Sequence, residues 1–175
     1  MANIGVFGNT YLSVFSHVET QLTDDGLIIS GSDYGVSLLD AYPTDEDLKK
    51  VVLRHDATGS VEEIILPIVT LEQGQVTTED FELGNSGYSG DFRIIMTIFA
   101  ETNIQRSQIA SSLYNAITKS GIDYYDYDVN FSSPAVSGTL FVSDIKMYPT
   151  TFIGTNNPAL RYGMDLHFNV SKLIE

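Results

Sequence analysis

The stretch "FRIIMTIFAETNIQRSQIASSLYNAITKSG", residues 92–121, decides the fold class, because two periodicities meet in it without a linker. Its first part places Ile94, Ile95, Met96, Ile98 and Phe99 within six positions, which gives a strand two apolar faces and a central place in a sheet. Its second part changes period. Ile109, Leu113 and Ile117 recur at i, i+4 and i+8, the stripe of an amphipathic helix over about 103–119. Thr102 or Asn103 suits the N-cap, and Gly121 suits a left-handed stop.

C-terminal to this unit the pattern is that of β-structure. "SGIDYYDYDVNF", residues 120–131, packs three Tyr and three Asp into positions 123–128. Read as a strand, it puts Asp126 and Asp128 on one face with Tyr124, and Asp123, Tyr125 and Tyr127 on the other. Tyrosine is a good strand former with a polar tip, so the stretch reads first as architecture, then as an interface, and last as a cation site. "GTLFVSDIKMYPTT" is a further strand. "LRYGMDLHFNV" alternates strictly: Leu160, Tyr162, Met164, Leu166, Phe168 and Val170 point one way, and Arg161, Gly163, Asp165, His167 and Asn169 point to a wet face.

N-terminal to the central unit, "NTYLSVFSHVETQLTDDG" sets Tyr11, Phe15, Val18 and Leu22 on one helical stripe, with Asn9 or Thr10 as cap and Gly26 as stop. A long irregular loop is expected over about 29–60, with short strand pieces and a short-helix start at "PTDED". "KKVVLRHDATGSVEEIILPIVTL" reads as two strands joined by a turn at Asp56–Ser60. Residues 72–91 hold four glycines and Glu72, Glu79, Asp80, Glu82 and Asp91. They read as an extended loop or hairpin that is ordered against a partner and does little for the fold. The expected architecture is one α+β domain spanning 1–175, with two principal helices packed on one face of a mainly antiparallel sheet.

A chain of 175 residues with 43% hydrophobic and 18% charged residues has enough apolar material for a core without staples. It has no Cys, which removes disulfides and thiolate chemistry. No apolar run approaches the roughly 20 residues that span a bilayer. "MANIGVFGNTYLSVF" lacks the basic start and apolar run of a signal peptide, so synthesis and assembly in the cytoplasm are expected. Net charge is −14, from 23 acids against 9 bases, and the only adjacent basic pair is Lys49-Lys50. Gripping phosphate needs clustered cations, so specific nucleic-acid binding is not expected. The same acidity keeps a protein soluble, and it also lets DNA pass a surface without sticking.

No catalytic, cofactor or metal residues are assigned. His17, His55 and His167 fall on different elements without metal-ligand spacing, and His17 and His167 are expected to be solvated. "GNSGYSG", residues 84–90, has neither the lysine nor the helix of a phosphate loop, and no Gly-x-Ser-x-Gly elbow occurs. Asp123, Asp126 and Asp128 fail as a calcium loop, since no Gly follows at the sixth position and the twelfth is Pro134. The residues expected at a partner interface are Val76, Phe81, Leu83 and Tyr88 in the 72–91 segment, with Arg161 and His167 on the wet strand face.

"LPIVTLEQG", "FELGNSG" and "DFRIIMTIFAETNIQRSQIASSLYNAITKSGIDYYDY" together resemble the tail terminator and tail-completion family of tailed bacteriophages over roughly residues 61–170. The likeness lies in element order and residue type: a strand near "ELG", a strand running into a helix, a short strand with "YDY", and two closing strands. It implies a structural virion protein and no enzyme. Such a protein forms a homo-oligomeric ring, a hexamer, that caps the tail tube and meets head-tail connector or stopper proteins, while genomic DNA passes through the lumen. A related neck adaptor, stopper or tube component fits the same pattern. A more distant alternative is an acidic module that binds a small molecule or a cation.

Overall fold

The computed structural model describes residues 5–28, 35–40, 53–55, 61–64, 67–80, 88–119, 121–150 and 162–174. In chain order these form α1 (Gly5–Asp24), β1 (Ser37–Leu39), β2 (Leu53–His55), β3 (Val61–Ile64), β4 (Ile68–Asp80), β5 (Tyr88–Ala100), α2 (Asn103–Thr118), β6 (Ile122–Asp126), β7 (Ala135–Thr150) and β8 (Tyr162–Ile174). Six strands make one sheet in the order β1-β4-β5-β8-β7-β6, antiparallel throughout except for the parallel β1–β4 pair. Helix α2 packs on β5 and β8, and α1 packs on β6 and α2. The fold is therefore α+β, with a mainly antiparallel sheet and two helices among the described residues.

The central unit forms as its periodicity demands. Phe92, Ile94, Met96, Ile98 and Ala100 are fully buried toward the helices, and Thr97 and Phe99 are buried on the opposite face. Ile109, Leu113 and Ile117 close over this row, with Ala110 and Ala116 between them. Thr102 caps α2: its hydroxyl accepts from Gln105 N–H at 3.1 Å, and the Gln105 side chain accepts in return from Glu101 N–H at 2.9 Å. That exchange is a capping box displaced by one residue. Gly121 does not stop the helix in a left-handed conformation, because α2 closes at Lys119 in right-handed geometry. It is needed for space instead. A Cβ there would strike Thr139 Cγ2 and sit 3.4 Å from the Leu140 carbonyl, where β6 meets β7.

Of the three register shifts among the described residues of the main sheet, those in the β4–β5 and β7–β8 ladders set which residues of β4 and β7 face the core. In β4 one extra residue falls between Gln73 and Val76, opposite Ile94 and Phe92 of β5. The side-chain alternation inverts there, so Val69 and Leu71 face the core before the bulge and Val76 packs against it afterwards. Residues 72–80 and 88–91 are thus paired strand, and Tyr88 is bracketed by Asp80 on β4 and Ile174 on β8. The hairpin reading of 72–91 holds. The expectation that this segment does little for the fold is corrected, because its ladders are part of the main sheet; Phe81 and Leu83 lie outside the described residues. In β7 the extra residue falls between Ser143 and Lys146, with Asp144 at φ +52°. Leu140 and Val142 face the core before it, and Lys146 and Tyr148 turn to the opposite face after it.

The 29–60 region contains β1 and β2. The first extends the main sheet beside β4, and the second pairs antiparallel with β3; the expected turn at Asp56–Ser60 lies outside the described residues. The short-helix start at "PTDED" lies outside the described residues. Helix α1 ends as expected at Gly26, whose φ of +69° lets Leu27 and Ile28 N–H reach back to the Leu22 carbonyl. Its start differs. Asn9 and Thr10 do not cap it but lie in its interior, buried, because α1 begins at Gly5. Val14, Val18 and Leu22 carry the apolar contact, and Tyr11 and Phe15 are half-buried beside them.

Two substitutions test this packing. Leu113→Ala is expected to cost about 2–5 kcal/mol in denaturant unfolding; a loss below about 0.5 kcal/mol would mean an exposed stripe. Gly121→Ala is expected to cost about 0.5–1.5 kcal/mol, because Thr139, an exposed side chain, must leave its present rotamer. Adding Thr139→Ser, which removes the struck methyl, should restore most of that loss.

Candidate functional site

Two surfaces concentrate chemistry, one at the β6 edge of the sheet and one on its open face across β5, β8 and β7. The first is built on the tyrosine-rich stretch. β6 is an edge strand, and the N–H groups on its outer side need partners. Helix α1 supplies them. Tyr125 N–H donates to Ser13 Oγ at 2.9 Å, and Tyr127 N–H donates to Asn9 Oδ1 at 3.2 Å. Ser13 Oγ donates onward to the Asn9 carbonyl at 2.6 Å. Asp128 then answers the helix: one carboxylate oxygen accepts from Gly5 N–H and from Asn9 Nδ2, each at 3.1 Å, at the positive end of the α1 dipole. Asp126 accepts from Asp128 N–H at 3.0 Å and shapes the turn.

The stretch is therefore architecture, with corrections of detail. The strand stops at Asp126, its pairing with β7 shifts between Tyr124 and Tyr125, and Asp128 lies in the following turn rather than on a strand face. Among the described residues no group of three or more His, Cys, Asp or Glu side chains is placed to hold a metal ion. The hairpin leaves a mixed surface outward: the polar Asn130, Ser132, Ser133 and Ser137 are exposed, and so are three apolar side chains. Val129 is 78%, Phe131 57% and Val136 56% exposed. Tyr127 stacks between Phe131 at 5.8 Å and Tyr125 at 6.3 Å, and Val136 is the cross-strand partner of Tyr125.

The second surface is the open sheet face away from the helices. His167 is half-buried there, between Ile95 of β5 and Lys146 of β7. Arg93 Nη2 donates to His167 Nδ1 at 2.8 Å, and the edge of the Tyr148 ring meets the imidazole at a centroid distance of 5.4 Å. Asp165 Oδ1 accepts from Thr97 Oγ1 at 2.9 Å, and Lys146 pairs with Asp144 at 2.7 Å. Burial and the positive charges of Arg93 and Lys146 hold the His167 imidazole below its ordinary range, against the opposing pull of Asp165. Phe141, 58% exposed, and Tyr148, 47% exposed, give this face its apolar parts.

Of the expected interface residues, His167 stands on the open face. Val76 does not stand free, because the β4 bulge turns it onto the core. Tyr88 is placed as a paired residue of β5. Phe81, Leu83 and Arg161 lie outside the described residues. Arg93, Tyr148, Phe131, Val129 and Val136 were not singled out from sequence. Arg93 sits in a strand read as apolar on both faces, and the side taken by Tyr148 depends on a bulge. His17 is not solvated as expected. It is half-buried, and its Nε2–H donates to the Ala116 carbonyl at 2.9 Å, tying α1 to α2. Tyr11 does the same toward the sheet: its hydroxyl lies 2.7 Å from the Asp40 carbonyl and 2.9 Å from that of Leu71, and burial raises it far above the usual phenol range.

Two open grooves flank the outer side of α2. One of about 750 Å³ is lined by hydroxyls and amides such as Ser107, Ser111 and Asn115, with Asp25 at its rim. The Ser112 hydroxyl, then Gln21, hold the Asp25 carboxyl below the usual range, with Lys119 adding to this and partial desolvation opposing it. A carboxylate kept ionised in this way is not poised as a general acid. The other groove, of about 460 Å³, lies between α2 and Met147. Among the described residues no helix is long and apolar enough to cross a membrane.

No protein-family model and no curated protein matches the chain.

The Asp128 junction generates a direct test. Asp128→Ala removes a charged acceptor from a helix N-terminus and is expected to cost about 1.5–3 kcal/mol. Calorimetry of the parent protein with calcium and with magnesium should show no micromolar site. A site that vanishes on replacing Asp123, Asp126 and Asp128 by Asn would overturn the architectural reading.

Proposed function

We propose that the chain is a structural ring subunit at the head-tail junction of a tailed bacteriophage, a tail terminator or completion protein. It caps the tail tube and meets the head connector or stopper proteins. Its partners in this reading are copies of itself in a hexameric ring and the tube protein. It is assembled in the host cytoplasm and resides in the virion neck. Genomic DNA traverses the lumen, and a net charge of −14 favours passage over binding.

The observation that carries the reading is a set of exposed apolar side chains on the β6–β7 hairpin, set among the polar Asn130, Ser132 and Ser133. Val129, Phe131 and Val136 are each more than half exposed, while the backbone beneath them is fixed by Asn9, Ser13 and Asp128. A rigid loop that presents aromatic and branched side chains to solvent suits contact with another protein. The resemblance in element order over 61–170 supplies the kind of assembly. A neck adaptor, stopper or tube component is the second reading, and the same hairpin favours it equally. The cation-binding alternative has less support, because Asp126 and Asp128 are engaged within the chain.

Sizing with light scattering should give a mass several times 19.3 kDa, alone or on mixing with tail tube, and ring-shaped particles by electron microscopy. Phe131→Asp combined with Val136→Asp should leave stability within about 0.5 kcal/mol per site, since both are exposed, and abolish assembly. A parent chain that stays monomeric with tube present, or particles in which it lies away from the neck, would refute the proposal.

A further inference from the structure

The open sheet face holds a hydrogen bond whose direction is fixed by chemistry. A guanidinium has donors and no acceptor. Arg93 Nη2 lies 2.8 Å from His167 Nδ1, so Nδ1 must offer a lone pair. The imidazole is then neutral and carries its proton on Nε2. A proton added to Nδ1 removes the acceptor and sets two cations at hydrogen-bonding distance.

The surroundings raise the stakes of that proton. From β5 the imidazole faces Arg93 and Ile95, with Thr97 engaged by Asp165. From β7 it faces Lys146, whose ammonium is held by Asp144, and the edge of the Tyr148 ring. From its own strand Asp165 and Asn169 flank it on the same face, and Glu72 of β4 lies one strand beyond Ile95. Arg93 is exposed, so on release its guanidinium has solvent to move into.

We propose that the Arg93–His167 pair is a proton-operated latch on the open sheet face. The neutral imidazole holds the guanidinium against the sheet, and uptake of one proton releases it and adds one positive charge to the face. The latch needs one chain only, so it stands apart from the assembly reading. Its direction with pH follows from linkage. Burial, Arg93 and Lys146 depress the folded imidazole below the ordinary value of 6.5, so the unfolded chain binds more protons in the window between the two. The latch's contribution to stability is present above the ordinary value and is lost as pH falls through that window.

The test is nitrogen-15 NMR of the histidine rings in the full chain across pH 4–8, with His17 and His55 as internal references. The expected result is the Nε2–H tautomer for His167 at neutral pH, a midpoint below 6.5, and an upward move of that midpoint in Arg93→Gln. If Arg93→Gln fails to fold, unfolding measured against pH replaces it: His167→Asn should flatten the fall in stability between about pH 7 and pH 5. An Nδ1–H tautomer, a midpoint unmoved by Arg93→Gln, or an unchanged pH profile in His167→Asn overturns the latch.

Discussion

The outer edge of β6 is the constraint on which the rest of the arrangement depends. A strand at the end of a sheet leaves every second N–H without a partner and invites pairing with other chains. Here a helix closes it with side chains. Asn9 and Ser13, one turn apart on α1, take the N–H groups of Tyr127 and Tyr125. This explains why the buried face of α1 includes the polar residues Asn9 and Ser13. Asp128 locks the junction from the other side through Gly5 and Asn9. Once α1 is held there, His17 reaches the carbonyl of Ala116 on α2, and Tyr11 reaches the carbonyls of Asp40 and Leu71 beside β1 and β4. A few polar contacts thus position α1 against β6 and against α2, which itself lies over the apolar row of β5.

The open face depends on a different device, the one-residue bulge. A slip of one residue moves a strand's side chains to the other face. In β4 the bulge at Gly74–Gln75 rephases the strand, and Val76 joins the core. In β7 the bulge at Asp144 carries Lys146 and Tyr148 to the side of His167, and leaves Ile145 and Met147 toward the helices. The Arg93, His167 and Tyr148 cluster exists because β5, β8 and the rephased half of β7 lie side by side.

The two surfaces differ in kind. The hairpin tip sets exposed apolar side chains among exposed polar ones, on a strand end held by α1. The open face is a mixed polar strip with one imidazole whose protonation state is set by its neighbours. Beside α2, the Asp25 carboxyl that lines one groove is held below the usual range by Ser112 and Gln21.

The sequence by itself determined the elements whose periodicity is strong and local. The β5 strand, the α2 stripe of Ile109, Leu113 and Ile117, the Thr102 cap, the Gly26 stop and the alternation of Leu166, Phe168 and Val170 all follow from residue type and spacing. The α+β class follows from them, because a strand with two apolar faces followed at once by an amphipathic helix needs a sheet beside it and a layer above it. The tertiary structure alone decided the rest. Whether Val76 meets solvent or core, and which face takes Tyr148, turned on bulges that leave no periodic signal. Asp128, read as one carboxylate among three, became the anchor of a helix 119 residues away from it at Asn9, through a contact that no local pattern encodes. Hydrophobic spacing reports which face of an element is dry. It does not report which backbone groups that face must satisfy, and here those groups fixed where α1 lies.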